Sequence, residues 1–289
     1  MLYELLISPF AEYAFMRRAL AGAIAVSIGA APIGVLLLLR RMSLVGDAMA
    51  HAILPGAAIG FLLFGLHLLP MTIGGVIAGL TVALLAGVVA RATIIREDAS
   101  LAAFYLISLA LGVLIISLKG SAVDLMHVLF GTVLALDDAA LIYLAVTATV
   151  TALGLAVMIR PLVAECVDPV FLAVAGGPGA LAHLGFLVLV VLNLVAGFQA
   201  LGTLLAVGIM MLPAAAARLW ARTLEGMIAA ALAIAIASSV CGLLVSYHLA
   251  VVSGPAITLA AGAVYIVSIL LGPVSGIIWE LLAKRQRTA

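Results

Sequence analysis

Apolar runs of about 20 residues recur along the whole chain, the length that a helix needs to cross the hydrocarbon core of a bilayer. Short stretches that hold most of the charged residues separate these runs. We predict nine spans, or eight if the weakly divided pair around Ala200–Leu201 forms one crossing. The predicted spans are Ala19–Leu39, Ala48–Gly65, Pro70–Ala90, Ala99–Leu118, Ala139–Ile159, Ala180–Ala200, Leu201–Ala217, Gly226–Val245 and Pro255–Ile278. The pattern predicts an all-α, polytopic membrane protein with a single transmembrane domain over residues 1–289.

Basic residues follow every second span, and this placement orients the chain. Cytoplasmic loops of membrane proteins carry an excess of lysine and arginine. With nine spans, the N-terminus is therefore extracytoplasmic and the C-terminus cytoplasmic. Arg17 and Arg18 are an exception at the outer end of the first span, which an N-terminal amphipathic segment lying at the interface would explain. The basic residues that define the cytoplasmic side are Arg40, Arg41, Arg91, Arg96, Arg160, Arg218, Arg222, Lys284, Arg285 and Arg287.

Two stretches between spans are too short or too polar to cross the membrane. Gly120–Leu136 lies on the predicted outer side and is expected to form a short helix there. Pro161–Gly179 lies on the cytoplasmic side, where Asp168 can cap a short helix that Gly176 ends. This cytoplasmic helix is either a docking element for a partner or a plain amphipathic connector, and its local sequence favours neither.

Composition and motifs exclude several function classes. Of the 289 residues, 67% are hydrophobic and 9% are charged, and the mean hydropathy is +1.43. A Walker A loop requires lysine after a glycine-rich pattern, and neither Lys119 nor Lys284 follows one. Ser253 and Ser275 precede glycine but lack a glycine two positions earlier, so intramembrane proteolysis is a remote alternative. The two cysteines suggest no disulfide or metal knuckle, and Cys241 is expected to be buried.

Asp47 and His51 are the strongest candidate metal ligands. At i and i+4 of a helix they share one face, with Cβ atoms roughly 5–6 Å apart. Ionisable residues within a membrane segment are costly and mark functional sites, and a carboxylate with an imidazole suits divalent ions such as zinc, manganese or iron. Alternatively, Asp47 caps the helix or pairs with Arg41, and His51 is an interior histidine. Two ligands are too few for a metal site, and a homodimer would supply four.

Asp124 and His127 form a second pair on one predicted helix face, at i and i+3. At the outer mouth they would guide a cation inward or form a second binding point, although the spacing alone favours a solvated polar turn. His67, His183 and His248 are isolated in sequence, and we assign them no role.

At these residues the chain resembles the membrane permeases of bacterial ATP-binding cassette importers for zinc, manganese and iron. The resemblance covers nearly the whole chain and implies the fold of a type II importer permease. Four blocks carry it in the same order as in the family: Arg40–Gly56, Asp124–Gly131, Gln199–Leu205 and Ile209–Arg218.

This resemblance implies a permease of the bacterial cytoplasmic membrane that works as a homodimer or with a related permease. Two cytoplasmic ATPase subunits would power it, and an extracytoplasmic metal-binding protein would deliver the ion. Asp47 and His51 match the intramembrane ligands of the family, and the segment from Asp168 matches its coupling helix. The expected ATPase-coupling residues are Asp168, Pro169, Val170, Phe171, Leu172, Ala173, Val174, Ala175 and Gly176.

The chain departs from the family in that helix, where relatives carry an acidic residue and an arginine but this sequence has no charge between Asp168 and Gly176. An apolar helix in a groove would still dock. The sequence thus predicts a non-enzymatic permease without a permanent cofactor, which transports zinc or, next, manganese or iron. An ATP-independent metal channel or secondary transporter is the alternative.

Overall fold

The computed structural model describes residues 2–42, 44–65, 67–95, 97–117, 133, 136–167, 172, 174, 176–274 and 276–278. The regular elements in this part of the chain are all α-helices. Two short helices, α1 (Leu2–Leu6) and α2 (Ser8–Glu12), precede the first long one. The others are α3 (Ala14–Leu39), α4 (Val45–Ala52), α5 (Leu54–Phe64), α6 (Leu68–Ala92), α7 (Glu97–Ser117), α8 (Asp138–Val167), α9 (Gly179–Leu201), α10 (Thr203–Ala217), α11 (Leu224–Leu249) and α12 (Ser253–Leu271).

Eight helical stretches in the described residues are long and apolar enough to cross a membrane, with α4 and α5 forming one of them. The weakly divided pair near residue 200 forms two helices, α9 and the shorter α10 of 15 residues. Gly202 separates them with a φ of 92°, a left-handed conformation that glycine adopts without a steric penalty. The predicted polytopic all-α fold is confirmed, with eight long spans and one shorter apolar helix.

The second span is interrupted at Ile53, between α4 and α5. Pro55 has no N–H, so it cannot donate the helical hydrogen bond to the carbonyl of His51. Ile53 keeps helical angles (φ −71°, ψ −27°), and the two helices therefore follow one another without a sharp change of direction. The span begins at Val45 rather than at the predicted Ala48, which places Asp47 inside the helix.

α8 corrects the predicted boundary at Pro161. The sequence predicts a span ending at Ile159 and a separate cytoplasmic segment from Pro161, whereas the helix runs without a break to Val167. Proline removes one backbone hydrogen bond, and the turn beyond it is held by tertiary contacts. Leu162 is fully buried in the core, and Glu165 pairs with Arg40 at the end of α3.

α3 and α9 lie at the centre of the helix bundle, where helix backbones approach one another closely. Small residues allow one such approach between α5 and α6, where Gly56 faces the carbonyl of Gly74. One turn further along, a Cβ added to Gly60 would lie 2.6 Å from the carbonyl oxygen of Pro70. Small residues at such crossings let helices pack closely in lipid.

The two arginines that broke the charge pattern have local hydrogen-bonding or ion-pair partners. Arg17 donates to the carbonyl of Ala11 at 2.7 Å, and Arg18 pairs with Asp138 at 2.9 Å. These contacts join the start of α3 to the N-terminal segment and to the start of α8. Cys241 was expected to be buried but is exposed on α11. This prediction was wrong because hydropathy alone does not separate lipid-facing from interior positions of an apolar helix.

Candidate metal-binding site

The turn before α4 positions the candidate ligands. α3 ends with Arg41 in the left-handed region (φ 59°), and the N–H of Met42 donates to the carbonyl of Leu37 at 2.9 Å. This is the hydrogen bond of a Schellman motif with arginine in the place usually taken by glycine. The N–H of Val45 then donates to the carbonyl of Met42 at 3.1 Å, and α4 begins. Asp47 consequently lies in the first turn of α4.

Asp47 and His51 share one face of α4, as their spacing predicted. The Nε2 atom of His51 lies 3.7 Å from the Oδ1 atom of Asp47, and the side chains are 30% and 61% exposed, respectively. The Nδ1 atom of His51 is buried and has no hydrogen-bond partner. A carboxylate oxygen and an imidazole nitrogen therefore meet on one helix face, within the reach of a single cation.

Asp47 is neither the N-cap residue of α4 nor paired with Arg41 in the part of the chain that the structure describes. α4 begins at Val45 without a side-chain cap, because its N-cap residue is Leu44. Within the described part of the chain, the carboxylate of Asp47 pairs with His51 and not with Arg41. Its position in the first turn still places its charge near the positive end of the helix dipole.

Neighbouring helices hold α4 in place around the pair. The ring of Tyr105 on α7 stacks against His51, with 6.0 Å between centroids and an interplanar angle of 29°. On the same helix, the Oγ atom of Ser108 donates to the carbonyl of Ala52 at 2.9 Å. On the other side, a Cβ added to Gly46 would lie 2.6 Å from the Cε atom of Met210 on α10. The ring of His51 thus packs against α7, while α10 packs against the start of α4.

The pair alone has too few ligands to hold a metal ion. Among the residues that the structure describes, no group of three or more histidine, cysteine, aspartate or glutamate side chains can hold a metal ion. A transition metal bound in a protein usually takes at least four ligands. The exposed carboxylate of Asp47 leaves an open side on which further ligands, from water or another subunit, would complete the shell.

Several other predicted site residues lie outside the described part of the chain. They include the possible outer-mouth pair and most of the coupling segment: Asp124, His127, Asp168, Pro169, Val170, Phe171, Ala173 and Ala175. Leu172 and Val174 are helical, and Gly176 follows with a φ of 69°. The N–H of Gly177 donates to the carbonyl of Leu172 at 2.9 Å, so the helical turn ends where the sequence predicted an end.

Two polar clusters were missed by sequence reasoning. His183, which seemed isolated, lies beside Arg40 and Glu165. Within the bundle, the Oγ1 atom of Thr72 donates to the Oε1 atom of Gln199 at 2.8 Å. Arg40 and His183, like Thr72 and Gln199, are more than 120 positions apart, and no local spacing signals such a contact. A charged residue with no partner nearby in the sequence, next to a long apolar run, was the only available hint of such contacts.

Comparison with known proteins agrees with this architecture. Residues 12–272 match the ABC 3 transport family. The chain is 33% identical over 262 residues to the manganese import system permease protein ScaB of Streptococcus parasanguinis. The aligned residues cover 91% of this chain and 92% of that protein. It is 30% identical over 270 residues to the chelated iron transport system membrane protein YfeD of Yersinia pestis, covering 93% and 89% of the two chains.

A solved structure, PsaBC from Streptococcus pneumoniae in complex with Fab, superposes with a TM-score of 0.83 at 33% identity. The superposition covers 94% of this chain and 97% of that one. The same fold, the same order of helices and the family match thus extend over nearly the full length. The chain belongs to the ABC 3 transport family and is a multi-pass membrane permease of the ATP-binding cassette class.

Proposed function

We propose that this chain is the membrane permease of an ATP-driven importer of divalent metal ions, with manganese as its principal cargo and iron next. The observation that carries the proposal is the Asp47–His51 pair, 3.7 Å apart on one face of a membrane helix with the Nδ1 atom of the imidazole unpaired. The relatives named for manganese and chelated iron, which share at least 30% of their residues with this chain, support this class of cargo.

Manganese replaces the zinc that the sequence alone favoured. Imidazole suits zinc, but carboxylate and water ligands suit manganese, and affinity alone does not decide which ion a site selects. Asp47 supplies the carboxylate on the more exposed side of the pair. That side is open to water or to a second permease, and either would complete the larger shell that manganese takes. Full-length similarity to a manganese permease then favours this ion over zinc.

The permease is proposed to work by alternating access as a homodimer, or with a related permease. An extracytoplasmic binding protein would dock over the region 120–136 and release the ion to Asp47 and His51. Two cytoplasmic ATPase subunits would bind at the segment 161–179. The arginine-rich loops support a cytoplasmic C-terminus and an extracytoplasmic N-terminus. This chain would form no covalent intermediate and hold no permanent cofactor.

The test is uptake of radioactive Mn²⁺ into proteoliposomes that contain the chain with its ATPase subunits, the binding protein and ATP. Asp47→Asn and His51→Gln are each expected to abolish uptake, because the first removes the anionic charge and the second removes the imidazole, with little change in side-chain size. Glu225→Gln is the matched control for the aspartate, since Glu225 is an exposed acid in the first turn of α11. Normal uptake by both ligand variants would remove the metal-ligand assignment.

The alternative, an ATP-independent channel or secondary transporter, predicts flux through the chain alone. Reconstitution without ATPase subunits distinguishes the two, because an importer permease should then show no sustained movement of Mn²⁺ down its gradient. Ion-selective flux under those conditions would replace the importer proposal with the channel.

A further inference from the structure

A single guanidinium group joins three helix ends on the predicted cytoplasmic side. Arg40 follows the last residue of α3, and its Nη2 atom donates to the Oε2 atom of Glu165 near the end of α8. Its Nη1 atom lies 3.2 Å from the Nδ1 atom of His183 near the start of α9. A guanidinium has no acceptor, so it is the donor in any hydrogen bond to this nitrogen of His183.

This cluster is largely shielded from solvent. The side chain of Arg40 is 6% exposed, that of Glu165 is 21% exposed, and the Cζ atom of Arg40 lies 4.9 Å from the centre of the buried Phe186 ring. Burying two charges costs solvation free energy, and only good geometry recovers it. A buried ion pair is weak evidence for stability, so its presence at this junction calls for another role.

The positions of the three partners in the chain suggest that role. Glu165 lies three residues before the segment 168–176, and His183 lies seven residues after it. The guanidinium therefore contacts both flanks of the segment proposed to receive the ATPase. Arg40 itself opens the turn that leads into α4, seven residues before Asp47.

That turn leaves little freedom between Arg40 and the metal ligands. The left-handed Arg41 and the hydrogen bonds from Met42 and Val45 fix the path from α3 to α4. A left-handed non-glycine residue persists only where its surroundings hold it. A displacement of either flank of the segment 168–176 would thus pull on Arg40 and, through this turn, on the helix that carries Asp47.

We propose that Arg40, held between Glu165 and His183, is the positioning residue that couples the ATPase-facing segment to the metal-ligand helix. The inference rests on the proposed function, since it requires that metal uptake is driven by ATP. Glu165 and His183 act through Arg40 and do not touch the ion. Without the guanidinium bridge, the ATPase would still bind and hydrolyse ATP. Its conformational changes would no longer reorient Asp47 and His51.

The test measures Mn²⁺ transported per ATP hydrolysed by the complete complex in proteoliposomes. Glu165→Gln and the double variant Arg40→Met/Glu165→Met are expected to lower this ratio at least about tenfold, within the usual range of coupling between sites. The double variant leaves no unpaired charge, so it tests coupling even if a single substitution impairs folding. Asp138→Asn is the matched control because it removes the exposed pair with Arg18, which joins the same two helices at their opposite ends.

If Arg40 had only a structural role, the variants would lower the yield of assembled complex. Uptake and ATP hydrolysis would then fall in proportion. An unchanged ratio in the charge-free double variant, or an equal fall in the Asp138→Asn control, would overturn the proposal. Absence of ATP-driven uptake by the wild-type complex would instead overturn the proposed function, and this inference with it.

Discussion

Two ion pairs join α3 to α8, and they differ mainly in burial. At one end Arg40 pairs with Glu165, and at the other Arg18 pairs with Asp138. Replacing Glu165 by methionine leaves a guanidinium that is 6% exposed, whereas Asp138→Met leaves one that is 46% exposed. The residual charge in the first variant cannot be hydrated without local opening of the helix ends.

The expected costs follow from this difference. Removing one partner of a buried pair typically costs about 3–5 kcal/mol of unfolding free energy. We expect the lower end, about 3 kcal/mol, because the hydrogen bond to His183 and the ring of Phe186 still stabilise the guanidinium. An exposed pair is worth about 0–1 kcal/mol. Glu165→Met should therefore shift the unfolding equilibrium roughly a hundredfold more than Asp138→Met.

The assay is reversible unfolding of the purified chain in mixed micelles, followed by circular dichroism as denaturing detergent is added. The double variant Arg40→Met/Glu165→Met should recover to within about 1 kcal/mol of the wild type, because methionine side chains fill the volume without an unpaired charge. Equal losses for Glu165→Met and Asp138→Met, or a double variant as unstable as Glu165→Met, would refute the reasoning.

Three further predictions use other contacts. Gly176→Ala should destabilise the cytoplasmic turn by about 1 kcal/mol, because the φ of Gly176 is 69°. The control Gly87→Ala should not destabilise its helix, and both glycines have open space around them. Sensitivity to protease checks both variants. Asn193→Ala should cost about 1–2 kcal/mol of unfolding free energy in detergent, since Asn193 Nδ2 donates to Thr151 Oγ1 and to the Leu189 carbonyl. Acidification should weaken Mn²⁺ binding, measured by titration, because protons compete with the metal ion for the ligand atoms; pH-independent binding would contradict ligation by ionisable side chains.

Long apolar runs made most of the fold predictable, because each helix must be apolar over a membrane thickness whatever its neighbours are. Helix ends were less predictable where tertiary contacts decide them. The α8 helix passes Pro161 because Leu162 and Glu165 beyond it find partners on other helices. Conversely, Gly202 divides α9 from α10 through its own backbone conformation, and a break at that point was visible in the sequence.

The candidate site was predictable where its parts are local. Asp47 and His51 are four residues apart, so helix geometry alone brought them together. The cluster of Arg40, Glu165 and His183 joins three distant helix ends, and nothing local signals such pairing. Likewise, the stacking of Tyr105 on His51 depends on how α7 packs against α4.

The proposed function requires that His51 and Asp47 bind the transported ion directly. Pulsed electron paramagnetic resonance of Mn²⁺ bound to the chain in lipid nanodiscs tests it, because a coordinated imidazole gives a ¹⁴N coupling. We predict this coupling in the wild type and in the control His67→Gln, its loss in His51→Gln, and weaker Mn²⁺ binding in Asp47→Asn. A ¹⁴N coupling that persists in His51→Gln would contradict the account.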